Sequence, residues 1–109
     1  FTYVDDIADG TIKALKPLGY EIINLGNNHP HTMLEMIAMI EKGLNKKARI
    51  KNMPSQKADL ATTWADINKA KQQLAWEPKV PLAEGIEKTI HWYFENRDLM
   101  RNIEIDLSV

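Results

Sequence analysis

Between residues 20 and 53 the spacing of apolar side chains changes rhythm twice, and that change limits the folds open to the chain. Residues 20–25 read YEIINL, an apolar and β-branched run closed by Gly26, Asn27 and Asn28, the composition of a strand running into a turn. Thr32 and Glu35 then stand at capping-box spacing, and Met33, Ile37, Ile40 and Leu44 recur at helical intervals over about 32–44. Asn45 suits the end of that helix, and residues 48–53 alternate Arg49, Ile50 and Lys51 in the two-residue period of a half-buried strand. Strand, helix, strand with short connections is a βαβ unit. The sequence therefore predicts a short parallel strand pair with a right-handed crossover and the helix over one sheet face. The expected fold class is α/β, with this pair and about four helices.

The flanks read as helical. Asp5 and Asp6 suit the capping of a helix over about 6–15, in which Ile7, Ala8, Ile12 and Leu15 follow at helical spacing until Pro17 and Gly19 stop it. Residues 54–63 mix Pro, Ser, Gln, Lys and Asp without a period, as a loop of functional length does. Asp66 caps a short helix with Ile67, Ala70 and Leu74 inward, and after Pro81 the residues Leu82, Ile86, Ile90 and Tyr93 mark a last amphipathic helix. From Asn96 the chain is polar, and residues 96–109 are expected to fray.

A length of 109 residues suits one domain with one core, so residues 1–109 are read as a single unit. Apolar residues at 44% and charged ones at 27% are globular values, far from those of disorder, and predict a compact, soluble chain. The 14 basic and 15 acidic side chains are interspersed, which leaves no broad positive field for nucleic acid. The densest basic stretch, Lys46, Lys47, Arg49 and Lys51, reads as a solvated helix end and strand edge. Without cysteine there is no disulfide, thiolate nucleophile or cysteine-ligated zinc, and a cytoplasmic setting is expected. No apolar run approaches the roughly 20 residues that cross a bilayer, and no signal-peptide pattern opens the chain. Phe1 begins inside an apolar segment without an initiator methionine, which suggests a piece of a longer protein.

Reagents for catalysis are scarce. Gly10, Gly19, Gly26, Gly43 and Gly85 never group into a phosphate-cradling turn, so no dinucleotide-binding residues are expected. None of Tyr3, Tyr20 and Tyr93 has a lysine four residues on to lower its pKa for proton transfer. His29 and His31 flank Pro30 at a spacing two metal ligands can have, but no third ligand is evident and a polar turn is the better reading. His91, beside Trp92, is expected to be partly buried. The carboxylate pairs Asp5 with Asp6 and Asp59 with Asp66 read as caps and loop anchors rather than acid–base couples. Composition and spacing go no further than an α/β domain.

Three ordered stretches add to that: FTYVDDIADGTIKAL, YEIINLGNNHPHTMLEMIAMIEKGLNKKARI and QKADLATTWADINKAKQQLAWEPKVPLAEGIEKTIHWYFENR. They resemble consecutive parts of the extended short-chain dehydrogenase/reductase family, in particular the UDP-glucuronate 4-epimerases. The family pattern runs R-D-F-T-Y-V-D-D-I, N-L-G-N, Q-P-G-D, T-W-A-D and P-L-x-E-G-I, matched here at residues 1–7, 24–27, 56–59, 63–66 and 81–86. The resemblance covers almost the whole chain and implies the C-terminal, substrate-binding portion of a Rossmann-type, NAD-dependent nucleotide-sugar epimerase. In such enzymes a Tyr-x-x-x-Lys pair removes a hydroxyl proton while NAD takes hydride from C4 of the sugar. Both reagents would belong to an N-terminal Rossmann half, so this portion alone would hold a UDP-sugar without converting it, by positioning.

The same resemblance implies the site residues. Asp59 matches the aspartate that reaches towards the nucleotide ribose, where a carboxylate accepts hydrogen bonds from vicinal hydroxyls; its plain alternative is a loop anchor. Gln56 sits where galactose-type relatives carry a phosphate-binding arginine, and Thr63 where they carry a nucleotide-contacting tyrosine. Lys57 and Ala58 depart from the family's Pro and Gly. Trp64, Trp76 and Trp92 could stack on uracil, although large aromatics in a small domain are more often core. Expected partners are the UDP-sugar, the N-terminal half across an exposed apolar patch, and through that patch a second copy. A stand-alone interaction module of the same ancestry, or part of a dehydratase or decarboxylase of the same fold, are the alternatives.

Overall fold

The computed structural model describes residues 1–54, 60, 62–101 and 103. Five helices follow in order: α1 Val4–Lys13, α2 Met33–Leu44, α3 Asn68–Leu74, α4 Leu82–Glu95 and α5 Arg97–Arg101. The local signals for the longer helices hold. At the start of α2 the Thr32 hydroxyl accepts from the Glu35 N–H at 3.1 Å while the Glu35 carboxylate accepts from the Thr32 N–H at 2.6 Å, a complete capping box. Asn45 ends the helix in the left-handed region at φ 49°, which asparagine tolerates. Asp66, expected to cap α3, stands one position before its N-cap Ile67, and its Oδ1 accepts from the Asn68 N–H at 3.0 Å.

The core lies where α1 meets α3. Ile67, Ala70, Leu74 and Trp76 are its buried apolar residues, with Ala14, Leu18, Ile23, Leu25 and Ala65 packed against them. α3 closes with Ala75 in the left-handed region at φ 49°, and the Trp76 N–H reaches back to the Ala70 carbonyl at 3.3 Å, a turn that swings Trp76 into the core. Lys13 and Lys16 of the α1 end donate to the carbonyls of Ala75 and Gln73, placing two cations at the negative end of α3.

α1 turns a different side inward from the one its apolar spacing predicts. Asp6 and Gly10 are buried and Ala14 half-buried, while Val4, Ile12 and Leu15 face out, Leu15 at 82% exposure. Asp6 is therefore no cap: it lies in the first turn and accepts from the Val80 N–H at 3.0 Å, tying α1 to the segment before α4. The helix's small side wins because Trp76 needs that space, as a Cβ on Gly10 would come within 3.0 Å of Trp76 Nε1 and 2.8 Å of Leu25 Cδ1.

The expected βαβ pair does not form among the described residues. Residues 20–25 and 46–54 carry no regular structure, and α2 packs on α4 instead of covering a sheet, with Gly43 against Ile90. The physical reason is visible at residues 22–25. Burial alternates there as a strand requires, with Ile23 and Leu25 against the core and Ile22 and Asn24 outward, but a strand exists only through hydrogen bonds to a neighbour. No ladder neighbour for it is present among the described residues.

The compact shape expected from composition is also not observed. The Cα radius of gyration is 17.0 Å, against about 13 Å for a compact chain of this size, because only a small core closes and many apolar side chains remain outside. Part of the tail expected to fray is ordered, since the Met100 N–H reaches the Asn96 carbonyl at 3.0 Å and α5 continues from α4.

Candidate functional site

Three stretches far apart in sequence converge on residue Asn27. Its N–H donates to the Thr2 hydroxyl at 2.8 Å, its carbonyl accepts from the Ala65 N–H at 3.2 Å, and its side-chain Oδ1 accepts from the His29 N–H at 2.9 Å. The last of these is an Asx turn, which bends the chain after the 20–25 segment. Gly26 lets the segments of this junction close up, since a Cβ there would sit 2.9 Å from that of Ala65.

Above this junction opens a cleft of about 1120 Å³, walled on one side by Phe1 and Thr2, on another by residues 23–33 and on the third by Leu60 and residues 62–65. It presents the Thr63 side chain, the Asn24 and Asn27 amides, the His29 and His31 imidazoles and the Trp64 indole, a set suited to hydrogen-bonding and stacking on a polar ligand with a planar part. A second cleft of about 480 Å³ lies on the far side of the 27–31 turn, bounded by α3 and residues 77–83. There Lys71 pairs with Glu77 at 2.8 Å, and that contact holds the Glu77 carboxyl below its ordinary range.

Electrostatics at the rim come from short local pairs. The Glu35 carboxyl is held below the usual carboxylate range first by the Thr32 backbone N–H and then by its hydroxyl, so a fixed negative charge stands at the cleft edge beside His31, 3.9 Å away. Lys88 is raised, first by its hydrogen bond to Glu84, and its ammonium stands 5.2 Å above the Tyr3 ring, next to the Thr2 wall.

Of the residues singled out from sequence, Thr63 lines the large cleft. Gln56 and Asp59 lie outside the described residues, and Leu60 and Thr62, just downstream of them, line the same cleft. The tryptophans divide: Trp76 is core at 1% exposure, whereas Trp64 at 63% and Trp92 at 48% are not. His91 is exposed and pairs with Glu95 at 3.1 Å, contrary to the partial burial expected beside Trp92. His29 and His31 border both clefts, and among the described residues no three His, Cys, Asp or Glu side chains gather as a metal site. Sequence reasoning missed Thr2 altogether and read Asn27 as part of a turn; the only signal was a small residue, Gly26, ahead of a turn-forming asparagine.

No protein-family profile matches the chain. It is 48% identical over 106 residues to the UDP-glucuronate 4-epimerase of Thermodesulfobacterium geofontis, a match that takes in 96% of this chain and 33% of that protein. It is 37% identical over 93 residues to UDP-glucuronic acid decarboxylase 1 of Danio rerio, across 85% of this chain and 22% of the relative. The fold superimposes with a TM-score of 0.77 and 35% identity on the UDP-glucuronic acid 4-epimerase of Bacillus cereus solved with UDP-glucuronic acid and NAD, over 87% of this chain and 31% of that one. The chain thus spans between about a fifth and a third of the length of these relatives. No helix among the described residues is long and apolar enough to cross a membrane. In sequence across nearly the whole chain, and in fold, it is thus similar to about a third of the length of the UDP-glucuronate 4-epimerases.

Proposed function

We propose that this chain is the UDP-sugar-binding portion of an NAD-dependent nucleotide-sugar 4-epimerase and does not itself carry the reacting groups. The observation that supports this most is the cleft that brings Thr63 to the Gly26–Asn27 turn, in a chain whose fold matches an epimerase solved with UDP-glucuronic acid. In this reading Thr63 donates to the nucleotide sugar from the cleft wall. Asp59 accepts from the ribose hydroxyls, and Gln56 gives the phosphates an uncharged contact.

NAD supplies hydride transfer when bound. This chain has no glycine-rich phosphate turn to hold it, so the cofactor belongs to an N-terminal Rossmann half. That half would cover Val4, Ile12 and Leu15 of α1 together with Tyr20 and Ile22, the last two exposed at 91% and 70%. It would also offer the ladder neighbour that residues 20–25 lack. Without it, the same apolar surface favours self-association of the chain.

Saturation-transfer NMR with UDP-glucuronic acid tests the reading, because it detects the weak binding expected of a partial site. Saturation of ligand protons by the chain, reduced by Asp59→Asn and Thr63→Val, is the expected outcome; no saturation at any ligand concentration would sink it. The similarity to the zebrafish decarboxylase carries a second reading, in which the same portion serves a decarboxylase. Products of the full-length enzyme separate the two: a hexuronate inverted at C4 for the epimerase, a pentose and carbon dioxide for the decarboxylase.

A further inference from the structure

We infer that Thr2 is a positioning residue of the cleft, acting through Asn27 to hold the 63–65 wall at its distance from the 24–27 turn. The inference rests on the UDP-sugar reading of that cleft and adds a residue which neither the motif comparison nor the known relatives' descriptions assign. Its basis is a continuous relay. The Thr2 hydroxyl accepts from the Asn27 N–H at 2.8 Å, and the Asn27 carbonyl accepts in turn from the Ala65 N–H at 3.2 Å. A residue bonded through both its N–H and its C=O ties its two partners together, since the two planar peptide units that carry these groups meet at one α-carbon. Moving Asn27 therefore moves Ala65, and with it Trp64 and Thr63 on the cleft wall.

Two further contacts leave little slack in the relay. A Cβ on Gly26 would meet the Ala65 Cβ at 2.9 Å and the Thr2 hydroxyl oxygen at 3.9 Å, so the three segments are already at close approach. On the other side, Tyr3 is pinned between Gly85, whose added Cβ would lie 3.3 Å from the ring, and the Lys88 ammonium. The Thr2 hydroxyl is thus held from the α4 side and presented to Asn27 from a fixed base. The opposite wall at His29 is bent into place by the Asx turn at Asn27.

The test uses the chain itself with UDP as the probe, followed by saturation transfer and by amide exchange. In the unaltered chain, UDP is expected to slow exchange of the Asn27 and Ala65 amides together. Thr2→Val, which keeps the shape and removes the acceptor, is expected to weaken UDP binding roughly tenfold with little change in the melting midpoint, and Thr2→Ser to restore binding to within about twofold. Undiminished UDP binding in a folded Thr2→Val chain whose Asn27 amide has shifted would overturn the inference and leave the cleft reading intact. Should Thr2→Val not fold, Thr2→Ser and the exchange measurement still decide: weakened binding in Thr2→Ser, or UDP contact without protection at Asn27 and Ala65, overturns it. Absence of any UDP contact with the unaltered chain removes the cleft reading and the inference with it.

Discussion

The Trp76 indole N–H donates to the main-chain carbonyl of Asp6 at 2.8 Å, seventy positions away in sequence and wholly out of water. That bond, with the Asp6 side chain accepting from Val80, fastens α1 to the segment between α3 and α4. Buried polar groups of this kind matter more when broken than when made, because the partner left behind has no water to turn to.

Trp76→Phe should therefore lower stability by about 2–4 kcal/mol, combining loss of the buried indole bond with lost indole volume. Asp6→Ala should cost about 1–3 kcal/mol by orphaning the Val80 N–H, while Asp6→Asn keeps an acceptor and should cost less. Urea unfolding followed by circular dichroism ranks the three, and equal midpoints for Asp6→Ala and Asp6→Asn would contradict the assignment.

Gly10→Ala sets two effects against each other. Alanine in a helix interior gains about 1 kcal/mol over glycine. The new methyl, however, enters the space of Leu25 and of the Trp76 ring, and overpacking of that kind costs about 1–3 kcal/mol. The Leu25 side chain can turn away but the bonded indole cannot, so the net change should be destabilising, read as a fall in melting temperature.

Ala75→Gly should do the opposite. Ala75 is exposed and holds φ 49°, a region that costs an alanine about 1 kcal/mol and a glycine almost nothing. Glycine's greater freedom in the unfolded chain offsets part of this, which leaves a gain of about 0.5 kcal/mol. A higher unfolding midpoint with an unchanged denaturant slope would bear this out.

Thr32→Ala removes the hydroxyl half of the α2 capping box and should cost about 1 kcal/mol. The other half sets a pH dependence. Because the Thr32 N–H and hydroxyl favour the ionised Glu35 carboxyl, its folded pKa lies below its unfolded one. Its contribution is then complete above the unfolded value, near 4.3, and is lost as the pH falls through the lower folded value. Asp9, Glu41 and Glu77, lowered chiefly by hydrogen bonds from Lys13, Lys47 and Lys71, act in the same direction. Stability should thus drop below about pH 4, and Glu35→Gln should flatten part of that limb; an acid limb as steep in Glu35→Gln as in the unaltered chain would count against it.

Local chemistry made three of the helices legible. A threonine three residues before a glutamate, an asparagine able to turn left-handed, an aspartate ahead of Ile67 and apolar residues at helical spacing each act within a few residues, so α2, α3 and α4 could be read directly. The order of motifs that links the chain to the epimerases was legible for the same reason. Tertiary structure decided the rest. Whether residues 20–25 become a strand depends on a neighbour that no residue in them can specify, and which side of α1 turns inward depends on Trp76, which lies more than sixty residues beyond the end of that helix. The Thr2–Asn27–Ala65 junction is of the same kind: three ordinary residues acquire a role only when long-range packing brings their hydrogen-bonding groups within reach.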